Sequence, residues 1–467
     1  MYPEGNGIMA KKAKTVFVCQ ECGHESPKWM GQCICGAWNS MVEEKVLPAA
    51  EDDKRRRTRA PKPQSLADIT AGDSQNRTDT GIGELNRVLG GGLVSGSLTL
   101  ISGEPGIGKS TLIMQAAANI ADKNGKVLYV TGEESEEQVK MRADRICGNL
   151  SNDLFILAET NMENVTAVTE QLAPCFIIID SIQTMYTDDL DSAPGSVSQV
   201  RACGNELMRI GKTMNIPVFI VAHVTKSGEL AGPKIVEHLV DCVLNFSGER
   251  NQELRILRAF KNRFGTTSEI GAFEMAEEGL VEIKDLSRRF LEDMDEENEG
   301  SMVTAVYEGT RPLLLEVQAL TAKTGVGFAR RTAIGIAGSR LNMIIAVLER
   351  KAGISLIDQD VYVNIVGGIR PEGTSTDLAV ALAIYSTYRN IPVSKDVLAL
   401  GEVGLTGDLR PVRNAEKIIK EAGRMGFKNI LLPRSQAGRL MSEKDKLGTD
   451  IKITPVKNLT EAIKAYS

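Results

Sequence analysis

The sequence GEPGIGKST, from Gly103 to Thr111, follows the pattern G-x-x-x-x-G-K-[ST]. The apolar run SLTLIS comes directly before it and TLIMQAAANIADKNG follows it, which predicts a buried strand, a glycine loop and a helix. In this context the backbone N–H groups of the loop close around phosphate oxygens, and the helix N-terminus adds the positive end of its dipole. The stretch therefore predicts an α/β fold that binds and hydrolyses a nucleoside triphosphate.

The residues of this loop have separate expected contacts with ATP and Mg²⁺. Lys109 is expected to reach the β- and γ-phosphates, and the hydroxyl of Ser110 is expected to bind Mg²⁺. The glycines let the backbone approach the phosphate oxygens closely. The predicted nucleotide-binding residues of the loop are Gly103, Glu104, Pro105, Gly106, Ile107, Gly108, Lys109, Ser110 and Thr111.

Three polar residues follow predicted strands in the same α/β rhythm. The strands KVLYVTGEE, FIIID and VFIVAH have the near-continuous apolar character of parallel strands that are covered on both faces. Asp180 ends FIIID and is expected to hold Mg²⁺ through water. Glu133 is expected to polarise the attacking water; Glu134 competes for this role, and either could instead cap the next helix. His223 is expected to sense the γ-phosphate, with a purely structural histidine as the alternative.

Four of the eight cysteines lie between positions 19 and 35. Cys19-x-x-Cys22 and Cys33-x-Cys35 place two thiolate pairs on tight turns, which is the arrangement that holds Zn²⁺ tetrahedrally. His24 is an alternative ligand. A segment this short has no core of its own, so the metal would supply its folding free energy. Because no export signal precedes the cluster, we expect a zinc module in a reducing cytoplasm.

The composition limits the partners of the chain. A net charge of −6 gives no overall attraction to nucleic acid, although a local basic patch can still bind DNA. Aromatic residues make up 4% of the sequence, which argues against a base-stacking sheet as the main contact with nucleic acid. No apolar run approaches the roughly 20 residues needed to cross a bilayer, so no membrane partner is expected.

Two shifts in composition predict the domain organisation. KRRRTRAPKPQ at 54–64 is basic and contains proline, and LEDMDEENEGS at 291–301 is acidic and nearly free of apolar residues. The predicted segments are a disordered tail at 1–14, a zinc module at 15–45, a linker at 46–70, an ATPase domain at 71–285, a linker at 286–302 and a C-terminal domain at 303–467.

The sequence LRAFKNRFG carries two cations near a strand end. Lys261 and Arg263 are two residues apart, so both side chains can point to the same face. Two such cations can stabilise the charge of a transferring phosphoryl group that is bound by a neighbouring subunit. On spacing alone, a solvated basic strand is the simpler interpretation.

The four-cysteine module, GEPGIGKST, KNRFG and the C-terminal block together resemble the bacterial RadA (Sms) recombination family over nearly the whole chain. The resemblance implies an α/β RecA-like P-loop ATPase core, an N-terminal four-cysteine zinc module and a C-terminal α+β Lon-protease-like domain. KNRFG resembles the lysine–arginine finger of ring-shaped helicases such as DnaB. The resemblance thus implies a homo-hexameric ring with ATP between subunits. It also implies binding of single-stranded and branched DNA, branch migration of recombination intermediates and the recombinase RecA as a partner.

The C-terminal block resembles the Lon proteolytic domain but lacks its catalytic lysine. GGIRPEGTSTDLAVALA places Ser375 at the nucleophile position, and GEVGLTGDLRPVRNAEK places Glu416 at the lysine position. Lys417 is adjacent but points about 100° away on a helix. We therefore expect a non-proteolytic scaffold, with an ATP-dependent protease of Lon type and a KaiC-like signalling ATPase as alternative functions. Basic residues that could contact DNA phosphates in this block are Arg330, Arg331, Arg340, Arg350 and Lys351.

Overall fold

The computed structural model describes residues 14–46, 77–223, 233–248, 253–292, 294, 297–325, 327–367, 371, 373–443 and 447–466. Residues 1–13 of the predicted tail and the predicted basic linker at 54–64 lie outside these ranges. The chain forms two compact units, Met1–Glu282 and Ile283–Ser467.

The first unit begins with a small three-stranded antiparallel sheet. Its strands are β1 (Lys14–Cys19), β2 (Glu25–Ser26) and β3 (Met41–Val46). They lie in the order β2-β1-β3. The turns after Cys19 and Cys33 close through Gly23 and Gly36, whose φ angles of 68° and 93° are left-handed. Only a few side chains are buried beneath these turns, among them two of the cysteines themselves, so the module has almost no apolar core.

The rest of the first unit is a large α/β core. Its strands are β4 (Arg77–Thr78), β5 (Leu93–Val94), β6 (Leu98–Gly103), β7 (Val127–Thr131), β8 (Leu154–Ala158), β9 (Phe176–Asp180), β10 (Val218–His223), β11 (Cys242–Ser247), β12 (Leu254–Asn262), β13 (Ile270–Ala276) and β14 (Gly279–Glu282). Its helices are α1 (Gly83–Leu89), α2 (Lys109–Lys123), α3 (Glu136–Cys147), α4 (Met162–Leu172), α5 (Val197–Met214) and α6 (Pro233–Leu239), with a 3₁₀ turn at Ile182–Thr184.

Nine of these strands form one sheet in the order β14-β13-β12-β11-β6-β10-β9-β7-β8. The strands from β11 to β8 run parallel, and β12 to β14 extend the sheet as an antiparallel edge. One face packs apolar side chains of α1, α2 and α3, and the other packs those of α4, α5 and α6. Because both faces are covered, the parallel strands are apolar along most of their length, as the sequence predicted.

The parallel register brings the carboxyl ends of four strands to one edge of the sheet. Gly103 at the end of β6 pairs with His223 at the end of β10, and Thr131 at the end of β7 pairs with Asp180 at the end of β9. The residues predicted to bind the nucleotide therefore lie along the same edge.

The second unit is a separate α+β domain. Its strands are β15 (Glu297–Asn298), β16 (Ser301–Glu308), β17 (Arg311–Lys323), β18 (Arg331–Ile334), β19 (Gln359–Ile365), β20 (Val393–Ser394), β21 (Val397–Ala399), β22 (Glu402–Val403), β23 (Leu409–Arg410), β24 (Asn429–Pro433) and β25 (Lys452–Val456). Its helices are α7 (Leu286–Leu291), α8 (Gly338–Val347), α9 (Asp377–Arg389), α10 (Ala415–Arg424), α11 (Arg434–Ser442) and α12 (Leu459–Tyr466), with a π-helical turn at Leu348–Ala352. Seven strands form a sheet in the order β18-β19-β17-β16-β21-β24-β25.

The stretch predicted to be a linker at 286–302 contains ordered structure. Helix α7 buries Leu286 and Phe290, and Ser287 Oγ accepts a hydrogen bond from the backbone N–H of Leu314 on β17. This stretch is therefore part of the second unit, because three apolar residues at helical spacing outweigh its acidic surroundings.

None of the helices in the described ranges combines the length and apolar character that crossing a bilayer requires.

Candidate active site

The phosphate loop between β6 and α2 presents bare backbone to a ligand. Gly106 and Gly108 have φ angles of 78° and 109°, which side chains with a Cβ rarely adopt. A methyl group on Gly106 would meet no atom within 4 Å, whereas one on Gly108 would lie 2.8 Å from Met275 Cε on β13. The loop is thus open on one side and packed against the sheet on the other.

Lys109 is the first residue of α2 and is buried at the base of this loop. Its Nζ donates hydrogen bonds to the carbonyl oxygens of Gly103 and Glu104, at 2.8 and 3.0 Å. Burial lowers the pKa of Lys109 to about 8, although the carboxylates of Asp180 and Glu133 act in the opposite direction. A buried ammonium that is held by neutral carbonyls fits an anionic phosphate.

The other predicted loop residues divide into exposed and covered positions. Glu104 and Pro105 are exposed at the mouth, and Ile107 is buried beneath it. Ser110 and Thr111 follow in the first turn of α2 and are half-buried. The Ser110 hydroxyl therefore lies in the turn next to the loop, where it was predicted to meet Mg²⁺.

Glu133 follows β7 and joins a polar group at the same edge of the sheet. Ser181 Oγ donates to Glu133 Oε1 at 2.5 Å, and His223 Nε2 lies 3.4 Å from the same oxygen. The backbone carbonyl of His223 accepts a hydrogen bond from Gln183 Nε2 at 3.2 Å. Within the described residues, the Nδ1 atom of the His223 ring is buried without a hydrogen-bond partner. The contacts therefore bring together Glu133 and His223, which were predicted separately.

Asp180 is held by a buried tyrosine. Tyr129 Oη donates to Asp180 Oδ2 at 2.5 Å, and burial raises the pKa of Tyr129 well above its usual value, so the hydroxyl keeps its proton. Arg142 donates to the same hydroxyl at 3.3 Å and forms an ion pair with Glu134. Glu134 is therefore paired with Arg142, whereas Glu133 is one of the two carboxylates that act to raise the pKa of Lys109.

Lys261 and Arg263 meet at the other end of the parallel strands. Lys261 Nζ donates to the carbonyl oxygen of Glu237 at 2.8 Å, and Arg263 Nη1 lies 3.2 Å from Asp241 Oδ1. Burial and the neighbouring guanidinium of Arg263 lower the pKa of Lys261. Asp241 also pairs with Lys212 at 2.9 Å. The buried carboxylate of Asp241 thus pairs with Arg263 and Lys212, whereas Lys261 is held by a backbone carbonyl.

The register fixes how far these cations lie from the loop of the same chain. Lys261 pairs in register with Val243 on β11, and Val243 pairs in register with Leu100 on β6. Leu100 lies three residues before Gly103. At about 3.3 Å per residue this separation is roughly 10 Å along the strands, and Arg263 lies further away. Both side chains also contact groups at the amino ends of the parallel strands, namely the carbonyl of Glu237 and the carboxylate of Asp241.

The four cysteines of the N-terminal module form a compact sulfur cluster. Their Sγ atoms all lie within 4.8 Å of one another. Cys19 and Cys35 are 3.9 Å apart, and Cys22 and Cys33 are 3.5 Å apart. A tetrahedron with Zn–S bonds of about 2.3 Å requires sulfurs about 3.8 Å apart, so the cluster fits zinc. His24 is not in this group, and the prediction of a four-cysteine site is confirmed.

Ser375 in the second unit is not paired with a base in the described part of the chain. Its Oγ donates to a backbone carbonyl of β16 at 3.4 Å. Glu416 pairs with Lys420 at 3.1 Å, and Lys417 Nζ donates to Tyr307 Oη at 2.7 Å. The side chains of Glu416 and Lys417 thus contact Lys420 and Tyr307 and not Ser375.

The basic residues of the second unit differ in their availability. The guanidinium of Arg340 forms a bidentate pair with Asp377, whose carboxylate is 1% exposed, and donates to the carbonyl of Val403 at 3.1 Å. Arg340 thus neutralises a buried charge, and its contact with DNA stays a prediction. The guanidinium of Arg331 donates to three backbone carbonyls. The exposed members of the set are Arg330, Arg350 and Lys351.

Tyr129 and Asp241 are among the site residues that the sequence did not identify. Tyr129 lies inside an apolar strand, where a buried hydroxyl needs a partner. Asp241 lies in HLVDCVL, where a carboxylate among apolar residues has to be paired. Each of the two is a polar residue within an apolar run, which indicates that it needs a hydrogen-bonding or charged partner. The identity of that partner could not be predicted from the sequence.

Three family models match separate parts of the chain. A rubredoxin metal-binding domain matches residues 17–43, an AAA domain matches residues 61–229, and subunit ChlI of Mg-chelatase matches residues 320–436. These matches agree with the predicted order of a metal module, an ATPase core and a C-terminal domain.

Curated relatives match nearly the whole chain. The DNA repair protein RadA of Bacillus subtilis is 46% identical and covers 97% of this chain and 98% of its own length. The protein of the same name from Halalkalibacterium halodurans is 49% identical, with 92% and 94% covered. That from Listeria monocytogenes is 47% identical, with 98% and 99% covered. A solved KaiC-like protein of Pyrococcus horikoshii is 18% identical, with a TM-score of 0.38 over 44% of this chain and 99% of its own.

Proposed function

Because this chain belongs to the RadA family of DNA repair proteins, we propose that it is a DNA-stimulated ATPase whose active sites lie between the subunits of a ring. The ring is a hexamer that binds single-stranded DNA and promotes branch migration of recombination intermediates. RecA is its partner in recombination. The observation that carries the proposal is the position of Lys261 and Arg263 at the edge of the sheet opposite their own phosphate loop.

The residues at the carboxyl ends of the parallel strands have separate roles in ATP hydrolysis. The loop and Lys109 bind the phosphates, and a Mg²⁺ ion held by Ser110 and Asp180 would neutralise part of their charge. Glu133 accepts the proton of the attacking water, since its carboxylate acts on the ammonium of Lys109 and its oxygen already accepts a hydrogen bond from Ser181. His223 shares that oxygen and reports on the occupancy of the γ-phosphate position.

The finger residues act on the nucleotide of the neighbouring subunit. Lys261 lies roughly 10 Å along the strands from its own loop and Arg263 lies further away, so both would act on a nucleotide that is bound by an adjacent subunit. Fingers of this kind contribute on the order of 10³-fold or more to turnover. Coupling hydrolysis to subunit contacts lets each turnover shift the ring along a DNA strand.

One set of reactions tests this function against its alternatives. ATP turnover by the purified full-length chain is measured with and without single-stranded DNA, and casein cleavage is followed in the same tube. We expect DNA to stimulate turnover, Lys109→Ala to abolish it and no casein to be cleaved. Turnover by a lone subunit that ignores DNA would favour a signalling ATPase, and casein cleavage that Ser375→Ala removes would favour a protease.

A matched pair of variants tests the assignment of the base. Glu133→Gln is expected to abolish turnover and to retain ATP binding, because the amide cannot accept the proton. Glu134→Gln is expected to retain most turnover, because this residue pairs with Arg142. The reverse pattern would assign the base to Glu134.

A further inference from the structure

The two finger cations are held by one short segment of the core. We call α6 together with Asp241 the finger platform. Lys261 Nζ donates to the carbonyls of Glu237, at 2.8 Å, and His238, at 3.5 Å, in the last turn of α6. Carbonyls at a helix end lack partners within the helix and attract cations. Arg263 pairs with Asp241 just beyond the same helix. The position of the finger platform therefore sets the positions of both cations.

The finger platform depends on its packing for its position. A helix of seven residues has little stability of its own, so its neighbours decide where it lies. On one side, Val236 and Val240 are fully buried in the core. On the other side, Ile235 faces the N-terminal module.

The first cysteine turn of the zinc module rests on this helix. A methyl group on Gly23 would lie 2.8 Å from Ile235 Cδ1 and 3.3 Å from Val197 Cγ1, so the backbone of the turn touches both side chains. Cys22 and Ile34 of the module line one groove with Ile235 and His238 of the finger platform. The exposed pair between Arg201 and Glu25, at 3.5 Å, adds little.

We propose that the zinc module positions the Lys261–Arg263 finger, and that Ile235 is the positioning residue that joins them. The turn from Cys19 to Gly23 carries two of the four sulfurs, so bound zinc fixes the shape of the surface on which Ile235 rests. Without the metal the turn loses that shape and the finger platform shifts. Lys261 and Arg263 then move away from the position in which they contact the neighbouring nucleotide. This inference rests on the proposed function of the finger.

The test compares zinc removal with an Ile235→Ala substitution. The full-length chain is treated with a chelator, returned to Mg²⁺ and assayed with ATP and single-stranded DNA. We expect zinc removal and Ile235→Ala each to lower kcat by roughly ten- to a hundredfold, because a displacement of about 1 Å can lower the rate by about a hundredfold. KM for ATP should stay unchanged in both cases. The amount of zinc bound per chain should also be the same in Ile235→Ala as in the wild type. Zinc removal should lower kcat no further in Ile235→Ala, whereas a further tenfold loss would overturn the inference.

A second readout does not depend on turnover. Hydrogen exchange of the β12 amides should quicken in the wild type when zinc is removed and should already be fast in Ile235→Ala. Unchanged exchange in β12 would overturn the inference. Trp38→Ala is the control, since this module side chain is 70% exposed and does not line the groove.

The finger itself has to be tested separately. If Lys261→Ala leaves turnover unchanged, the proposed finger fails, and this inference fails with it. If Lys261→Ala lowers turnover and Ile235→Ala does not, the finger stands and only the role of the zinc module is wrong.

Discussion

At the scale of single residues, Lys109 links nucleotide binding to pH. Its ammonium is buried against neutral carbonyls, and burial lowers its pKa from 10.5 to about 8. Between about pH 8 and pH 10.5, the Lys109 side chain is protonated in the unfolded chain and deprotonated in the folded chain. The free energy of unfolding of the nucleotide-free protein therefore rises with pH across that window.

Nucleotide binding should show the opposite trend, because phosphate needs the charged ammonium. We expect the affinity for ATP to fall above pH 8, by at most about tenfold per pH unit. A fluorescent ATP analogue titrated between about pH 7 and pH 9.5 measures this. Lys109→Arg is the control, since arginine stays charged across the range and its affinity should be independent of pH. A wild-type affinity that stays flat to pH 9.5 would contradict the lowered pKa.

Tyr129 provides a second prediction at this scale, because its hydroxyl donates to the carboxylate expected to hold Mg²⁺. In Tyr129→Phe, Asp180 Oδ2 loses this partner while the ring still fills its place. Hydrogen bonds to charged groups contribute roughly 1.5 kcal/mol or more, so the half-saturating Mg²⁺ concentration for turnover should rise about tenfold. Turnover at saturating Mg²⁺ should change little.

A purely structural role for Tyr129 predicts a different result. Tyr129→Phe would then lower Tm and leave the Mg²⁺ dependence as it is in the wild type. Tyr186→Phe, in the same unit but outside this hydrogen-bonded group, controls for the loss of any tyrosine hydroxyl. Arg142→Ala should move the Mg²⁺ dependence in the same direction, because Arg142 donates to the same hydroxyl.

Individual site residues could be predicted where a local motif names them. Lys109 follows from its glycine loop, and Asp180 from an apolar strand that ends in a carboxylate. The choice between Glu133 and Glu134 could not be made from their order, since both follow the same strand. It depends on Arg142, Ser181 and His223, which only the fold brings near.

At the scale of elements, the start of α9 is organised around a buried ion pair. Asp377 is the first residue of α9, and Arg340 reaches it from α8. Burial raises the pKa of Asp377, while the guanidinium acts to lower it. The same carboxylate accepts a hydrogen bond from the backbone N–H of Val403, at 3.1 Å. The pair therefore joins α8, α9 and β22 in the second unit.

Removal of the arginine should leave an uncompensated buried charge. We expect Arg340→Ala to lower the free energy of unfolding of the second unit by about 3–5 kcal/mol, measured by urea denaturation. Arg350→Ala, an exposed arginine, should change it by less than about 0.5 kcal/mol. Replacement of both partners, as Arg340→Met with Asp377→Leu, should restore much of the loss. A small effect of Arg340→Ala would show that water reaches Asp377.

Elements could be predicted where their pattern is strong and local. The strands that end at Asp180 and His223 are short apolar runs that follow a proline and finish at a polar residue. Helix α7 was hidden because its three apolar residues adjoin an acidic stretch. The order of the nine strands could not be predicted either, since it depends on pairings between strands far apart in sequence.

At the scale of the whole molecule, the phosphate loop and the finger occupy opposite ends of one sheet. In the proposed ring, a single chain would therefore contribute half of each of two sites. A ring of identical subunits would close such head-to-tail contacts, and every active site would then combine Lys109 of one subunit with Arg263 of the next.

Mixing two inactive variants tests this arrangement. Lys109→Ala lacks a working loop and Arg263→Ala lacks a finger, so each alone should be nearly inactive. In a ring formed from equal amounts of both, about a quarter of the sites combine an intact loop with an intact finger from the neighbour. Turnover should then recover toward about a quarter of the wild-type value, and equal amounts of a doubly substituted chain and the wild type provide the reference for dilution. If subunits exchange and the mixture turns over ATP no faster than the two variants assayed apart, then loop and finger act within one chain, and the ring does not complete the active site.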